Sequence, residues 1–255
     1  VPFFAIINIF HRRAAEFEKL DYTQLSIENE IERISDKSFI LLISASLCLC
    51  GKNPAKIQIV IYDNSAKFYD KALAPFEKRF LKHWRKETLA YLPENANLLE
   101  IGAGTGLNFK HYPNCKHSVA SEFSCQMLEL AKEKVETPNL SLVQTNAETL
   151  PFAQNTFDAA FATLVFCAIS NPEKAFDELK RVVKPNGKIV LLEHVRPKGL
   201  FGYLFDVLNI FTVALMEDHF NRETAKLAEN SGLKILEVKE KAFGIVNLIV
   251  CEVVK

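Results

Sequence analysis

The stretch Asn97-Leu98-Leu99-Glu100-Ile101-Gly102-Ala103-Gly104-Thr105-Gly106-Leu107-Asn108-Phe109 decides the fold. An apolar run ends in an acid, three glycines follow at alternate positions, and a mixed polar and apolar pattern resumes. A buried parallel strand turning tightly into a helix would produce this order. Glycine at 102, 104 and 106 lets the turn take positive φ and lets a ligand lie against bare backbone. The expected helix would aim unpaired N–H groups at that ligand.

Three uses of such a turn compete. A dinucleotide fingerprint reads G-x-G-x-x-G and sets a pyrophosphate on the helix N-terminus. Here the third glycine comes one place early, and Leu107 stands where that fingerprint wants it. Glu100, two residues before the first glycine, would repel a pyrophosphate and suit a cationic amino-acid end. A nicotinamide-dependent oxidoreductase is disfavoured by the same two residues. A purely structural glycine turn is the third use.

Working outward, Lys116 to Ser121 should form a second strand ending at Glu122, with Ser124 capping a following helix. Glu122 lies eighteen residues past Gly104, where an acid at a strand end can accept both hydroxyls of a ribose. Leu140 to Thr145 reads as a third strand; the side chain of Asn146 and the backbone of Ala147, just past it, could meet an adenine edge, although asparagine is also a common turn former. Ala159 to Thr163 is a fourth strand, and Pro172 to Val183 a helix with Phe176, Leu179 and Val182 facing inward. Lys184-Pro185-Asn186-Gly187 turns into a fifth strand, Lys188 to Glu193. Strands alternating with helices at this spacing call for a doubly wound parallel sheet, whose ligands sit at the carboxyl ends of the strands. Asn221 could cap a helix to Asn230, and Leu233 to Lys241 with Phe243 to Val254 should form a closing hairpin.

Upstream, residues 1–60 carry no chemical motif and read as a helical extension that packs on the main domain or mediates homodimer contacts. From residue 61 to 255 the chain reads as the main domain. Tyr62-Asp63 and Tyr69-Asp70, seven residues apart, fall on one face of a helix that either packs on the domain or closes the site as a lid, with Tyr62 or Tyr69 touching the ligand. The segment Leu200 to Met216 is a core helix or an apolar pocket wall.

Composition narrows the functional class. The chain has 31 basic and 31 acidic residues, which gives no support to a general nucleic-acid binder. Its six cysteines are scattered without a C-x-x-C pair, as in reduced thiols of a cytoplasmic protein, and no spacing suggests a metal site. No stretch reaches the roughly 18 apolar residues of a membrane span. Val1 to Phe10, followed by His11-Arg12-Arg13, has the wrong polarity for a secretory signal. A short interfacial anchor there would make the protein a peripheral membrane associate.

Four blocks together resemble the class I methyltransferases that use S-adenosyl-L-methionine: Leu98 to Gly106; Glu122 to Leu128; Asn146 through Phe152 with Phe157-Asp158; and Arg181 through Gly187, similar to the family's R-V-L-K-P-G-G with Asn186 in place of the first glycine. The chain is similar to the ubiquinone/menaquinone C-methyltransferase group and, from Thr163 to Cys167 and Leu192 to Val195, to the methyltransferase-like thiol methyltransferases. The resemblance implies a seven-stranded, mostly parallel Rossmann-like sheet. It also implies that Glu100 and the backbone of Gly102, Ala103, Gly104 and Gly106 hold the methionine part of the cofactor. Glu122 would take the ribose, Phe123 and Met127 would lie near the adenine with Asn146 and Ala147, and Thr163 and Leu164 would run along the methionine moiety. The acceptor would be a small, apolar or lipid-like molecule, approached by Tyr62, Tyr69, His194 or His219. Tyr69, His194, Asp218 and His219 are candidates for a base, none of them singled out as catalytic. A non-catalytic cofactor-binding protein used in regulation or partner binding is the alternative.

Overall fold

The computed structural model describes residues 73–136, 139–197 and 221–254, with Ala66, Tyr69–Lys71, Gly199, Gly202, Tyr203, Asp206 and His219 beside them. The expected extension over residues 1–60, Tyr62, Asp218 and most of the Leu200 to Met216 segment lie outside the described residues.

Seven strands form one sheet: β1 (Asn97–Ile101), β2 (His117–Glu122), β3 (Leu140–Gln144), β4 (Phe157–Thr163), β5 (Val183–His194), β6 (Leu233–Lys241) and β7 (Val246–Val253). Their spatial order is β3-β2-β1-β4-β5-β7-β6. The first five are parallel, and β7 runs antiparallel between β5 and β6 as the expected hairpin requires. The order reverses between β1 and β4, which opens a crevice at their carboxyl ends.

Strand alternation assigns the two faces. Leu99 and Ile101 join Ala160, Ala162, Ile189 and Leu191 beneath helix α3 (Pro172–Val182), whose Phe176, Leu179 and Val182 are buried as the periodicity predicts. Phe176 stacks on Phe166 with ring centroids 4.5 Å apart. Leu98 faces the other way, joining Phe161, Val190, Leu192 and Leu248 beneath helix α1 (Lys82–Leu89), through Trp84 and Leu89 and through Leu81 just before it. Glu100 shares the parity of Leu98, so its carboxylate belongs to the α1 face. Sequence alone had no way to say what it meets there.

Helix α2 (Cys125–Lys132) starts as expected, with Ser124 Oγ accepting from the Met127 amide at 3.1 Å. In helix α4 (Thr224–Asn230) the cap position is Glu223, not Asn221; the Asn221 amide instead donates to Asp206 at 3.3 Å. Strand β5 begins earlier than Lys188, and Asn186 takes φ of +61° within it. Asparagine is among the few side chains that tolerate this region, which accounts for its standing in a glycine position. Among the described residues no helix is long and apolar enough to cross a membrane.

Candidate active site

The turn after β1 has Gly102 at φ +64°, Gly104 at +56° and Gly106 at +81°. A Cβ on Gly102 would stand 2.5 Å from the Val165 side chain, while a Cβ on Gly104 would meet nothing within 4 Å. The first glycine is thus a packing requirement, and Gly104 faces open space in the crevice. The helix expected beyond the turn does not form. Residues continue as turn to Asn108, then a short 3₁₀ helix, Phe109–His111. Tyr112 is extended at ψ 138° ahead of Pro113, a residue that disfavours helical geometry in its predecessor. Ligand-facing donors must therefore come from the turn's own backbone.

Glu122 ends β2 and reaches across to that turn. Its Oε2 accepts from the Gly104 amide at 2.8 Å, and its Oε1 from the amides of Phe123 at 2.8 Å and Ser124 at 2.9 Å. Three backbone donors therefore orient a half-buried carboxylate at the crevice edge. Thr145 donates its amide to the Glu122 carbonyl at 2.9 Å, which brings Asn146 and Ala147 beside the same edge. Asn146 serves as a turn former: its side-chain carbonyl accepts from the Glu148 amide at 2.9 Å. Phe123 is half-buried next to Glu122, whereas Met127 is buried on α2.

Glu100 is fully buried, and its two oxygens accept from Asn108 Nδ2 and from the Tyr112 hydroxyl. Burial pushes its carboxyl up to about 7, against the lowering effect of these hydrogen bonds and of Arg85. Tyr112 is held well above its usual range by burial and by the neighbouring Glu100 charge. Arg85, on α1, is itself buried; it donates Nη1 to Asn108 Oδ1 at 3.0 Å and to Thr163 Oγ1 at 2.6 Å, and Nε to Glu77 at 3.2 Å. Asn108 Nδ2 also donates to Thr163, at 2.8 Å. Glu100 is thus buried, with both oxygens held by residues just past the turn. Arg85, Asn108 and Tyr112 escaped the sequence reading; a buried arginine inside an amphipathic helix looks like one more surface charge.

Thr163 closes β4, and Ala162 just before it pairs with Ile101, so Thr163 lies level with Gly102. Leu164 follows at φ +61°, a strained conformation for a branched side chain, and its amide donates to the Leu192 carbonyl at 2.7 Å. Glu193, another residue missed from sequence, supports this bend: its buried carboxylate accepts from the amides of Val165 at 3.0 and 3.1 Å and Phe166 at 3.1 Å. Burial raises it to about 7. His194 ends β5, and burial lowers it to about 4, so it is neutral at ordinary pH. His219 is lowered by burial and by Arg222, and its amide donates to the Cys167 carbonyl at 2.9 Å.

Tyr69 is half-buried, and its neighbour Asp70 touches the turn. Asp70 accepts from Thr105 Oγ1 and from Lys134 Nζ, both at 2.6 Å. The helical residues before α1 are therefore tied to the glycine turn through Asp70. Gly102, Ala103, Gly104, Gly106, Glu122, Phe123, Asn146, Ala147, Thr163 and Leu164 all lie at or just past the carboxyl ends of β1, β2, β3 and β4. Gly104 faces open space, with the Glu122 carboxylate on its amide.

Comparison with known proteins agrees with this geometry. Residues 99–191 match the family described as methyltransferase domain. The chain is 30% identical over 150 residues to the demethylmenaquinone methyltransferase of Renibacterium salmoninarum, covering 57% of this chain and 62% of that protein. It is 34% identical over 121 residues to phosphatidylethanolamine N-methyltransferase of Cereibacter sphaeroides, covering 45% of this chain and 60% of that protein. The chain thus matches less than two thirds of either relative's length. A solved Thermotoga maritima S-adenosylmethionine-dependent methyltransferase, described as a possible histamine N-methyltransferase, has the same fold, with a TM-score of 0.61 at 21% identity over 76% of this chain and 99% of that one.

Proposed function

This chain carries a class I S-adenosylmethionine-dependent methyltransferase domain, and from that premise we propose that it moves a methyl group to a small, apolar or lipid-like acceptor. S-adenosyl-L-methionine is the cofactor that the family and fold imply. The observation that carries the proposal is the Gly104 amide bonded to Glu122 beneath open space at the strand ends.

When bound, the cofactor supplies a methyl group already activated by its sulfonium. The protein's task is to align the acceptor with the methyl–sulfur bond and to exclude water. Such positioning supplies roughly 7–11 kcal/mol of barrier reduction. Glu122 would take the ribose hydroxyls, the turn backbone would support the sulfur-bearing chain, and Thr163 at the end of β4 with Leu164 just past it would line that chain. Glu100 contributes from below by fixing Asn108 and Tyr112. An acceptor that arrives protonated needs a base, and the neutral imidazoles of His194 and His219 have the right protonation state for it.

The acceptor class rests on the relatives, one named a demethylmenaquinone methyltransferase and one a phosphatidylethanolamine N-methyltransferase. A non-catalytic cofactor-binding role gains no support from them. The test is production of S-adenosylhomocysteine from S-adenosylmethionine with a panel of demethylated quinols, hydrophobic thiols and aminophospholipids. Turnover with one of these classes is expected; cofactor binding with no turnover on any acceptor would overturn the enzymatic proposal.

A further inference from the structure

Ahead of α1, the π-helical turn Glu77–Leu81 brings three rings together. Phe76 and Phe80 have centroids 5.3 Å apart, and Trp84 lies 5.6 Å from Phe80 and 6.1 Å from Phe76. Trp84 is buried in the α1 face of the core, whereas Phe76 and Phe80 are exposed at 39% and 37%. Phe243, at the β6–β7 hairpin, is 99% exposed, with φ of +57°. A bulky side chain in that region is strained, and a ring this exposed packs on nothing that would offset the cost.

The hairpin and the helix lie side by side. Lys241 Nζ pairs with Glu87 of α1 at 2.7 Å, and Ala242 and Ile245 pack against the cluster that holds Leu81 and Trp84. The hairpin stands at the carboxyl end of the sheet, because Val246 pairs with His194, the last residue of β5. Asp70 holds Thr105 at that same end, while Tyr91 reaches Glu237 midway down β6. The helical stretch thus descends from the carboxyl end, with Phe76 and Phe80 near its top. All three exposed rings share the end of the sheet where Gly104 and Glu122 lie.

The charges beside these rings have one sign. Lys78, Arg79, Lys82 and Lys86 are exposed, and none makes an ion pair among the described residues. The Arg79 guanidinium lies over the Phe80 ring, 4.8 Å from its centroid. Both acids of the stretch are already held, Glu77 by Arg85 and Glu87 by Lys241. Glu240, the exposed acid next to the hairpin tip, alternates away from the side on which Lys239 and Lys241 meet α1. In a chain with 31 basic and 31 acidic residues, this is a local basic surplus. Exposed rings beside unpaired cations suit a surface that is apolar beneath an anionic layer.

We propose that this end of the sheet docks on the anionic headgroup layer of a phospholipid bilayer. Phe76, Phe80 and Phe243 enter the interface, and the basic residues of the helical stretch neutralise headgroups. The surface belongs to the methyltransferase domain itself and differs from the anchor expected at Val1 to Phe10. Docking there turns the strand ends toward an acceptor dissolved in the bilayer, the one point at which the proposal rests on the function above.

The test is flotation of the full chain with vesicles of phosphatidylcholine alone or mixed with phosphatidylglycerol, at low and high salt, without cofactor or acceptor. Binding to the anionic vesicles that weakens with salt is expected. Lys78→Gln combined with Lys82→Gln should weaken it about 25-fold, from about 5-fold for each basic residue near the surface. Phe243→Ser should weaken it about 10-fold, the lower end for burying a phenylalanine, and circular dichroism checks that its fold is intact. Equal binding to both kinds of vesicle, or variants that float like the wild type, would overturn the proposal and leave Val1 to Phe10 as the anchor. A wild type that binds neither vesicle would also overturn it, and a dimer lost in Phe243→Ser would then assign the surface to a second copy. Methyl transfer to a water-soluble acceptor is assayed separately, so failure of docking and failure of the enzymatic function are told apart.

Discussion

The Gly104 amide and the Glu122 carboxylate meet at 2.8 Å across the mouth of the crevice, joining the turn after β1 to the end of β2. The two residues are eighteen positions apart in sequence, one in the turn after β1 and the other at the end of the neighbouring parallel strand β2. Because Oε1 is held by the Phe123 and Ser124 amides, the carboxylate is oriented before any ligand arrives. Preorganisation of this kind removes part of the ordering cost of binding.

Glu122→Ala should therefore weaken S-adenosylhomocysteine by about 1.5–3 kcal/mol, the range for hydrogen bonds to a charged group. Calorimetry reads this directly, and circular dichroism checks that the sheet is intact. Unchanged affinity would remove Glu122 from the ribose role.

The glycines should separate by mechanism. A Cβ at Gly104 meets no atom within 4 Å, so Gly104→Val should cost folding about the 1–2 kcal/mol of a left-handed side chain, while ligand binding is lost. Gly102→Ala adds a clash with Val165 to the same strain, and overpacking costs about 1–3 kcal/mol more. Urea denaturation and S-adenosylhomocysteine titration of both variants distinguish the cases. Normal binding by Gly104→Val would mean that the ligand does not approach this backbone.

Buried carboxyls give the stability an uncommon pH dependence. Glu193 sits near 7 in the folded chain against an ordinary 4.5, so folding takes up a proton between those values. Its stabilising contribution is fully present below pH 4.5 and is lost as pH rises to about 7. His194, lowered from 6.5 to about 4, works in the opposite sense, adding stability as pH rises through that window. In Glu193→Gln the falling contribution is gone. The wild type should lose stability relative to the variant from pH 4.5 to 7, as measured by urea midpoints. A wild-type advantage that grows with pH would contradict the raised value.

Asp70 ties the helical residues before α1 to Thr105 and Lys134. Its ion pair with Lys134 is more than a third exposed at both ends, so its loss in Asp70→Ala should cost less than about 1 kcal/mol. Release of S-adenosylhomocysteine, followed by stopped flow, should nonetheless be faster, since the clip spans the ligand-bearing turn. An unchanged release rate would remove Asp70 from any part in closure.

The sequence by itself determined the sheet, its closing hairpin and the crevice. Apolar runs at Leu98 to Ile101 and Ala159 to Thr163 mark parallel strands buried on both faces, and the alternation of strand and helix leaves one way to wind them. Gly102 to Gly106 announced bare backbone because only glycine suits consecutive left-handed turns. Local pattern could not foresee the 3₁₀ turn at Phe109, where Pro113 overrides a helical-looking stretch. Nor could it place Arg85: its partners Asn108 and Thr163 lie 23 and 78 residues away, and their meeting depends on the parity of β1 and the seat of α1 on the sheet. Whether Glu100 faces a ligand or a buried hydrogen-bond network is likewise a matter of packing. Long-range polar contacts are written by the tertiary fold, since the groups that satisfy a buried charge need only be neighbours in space.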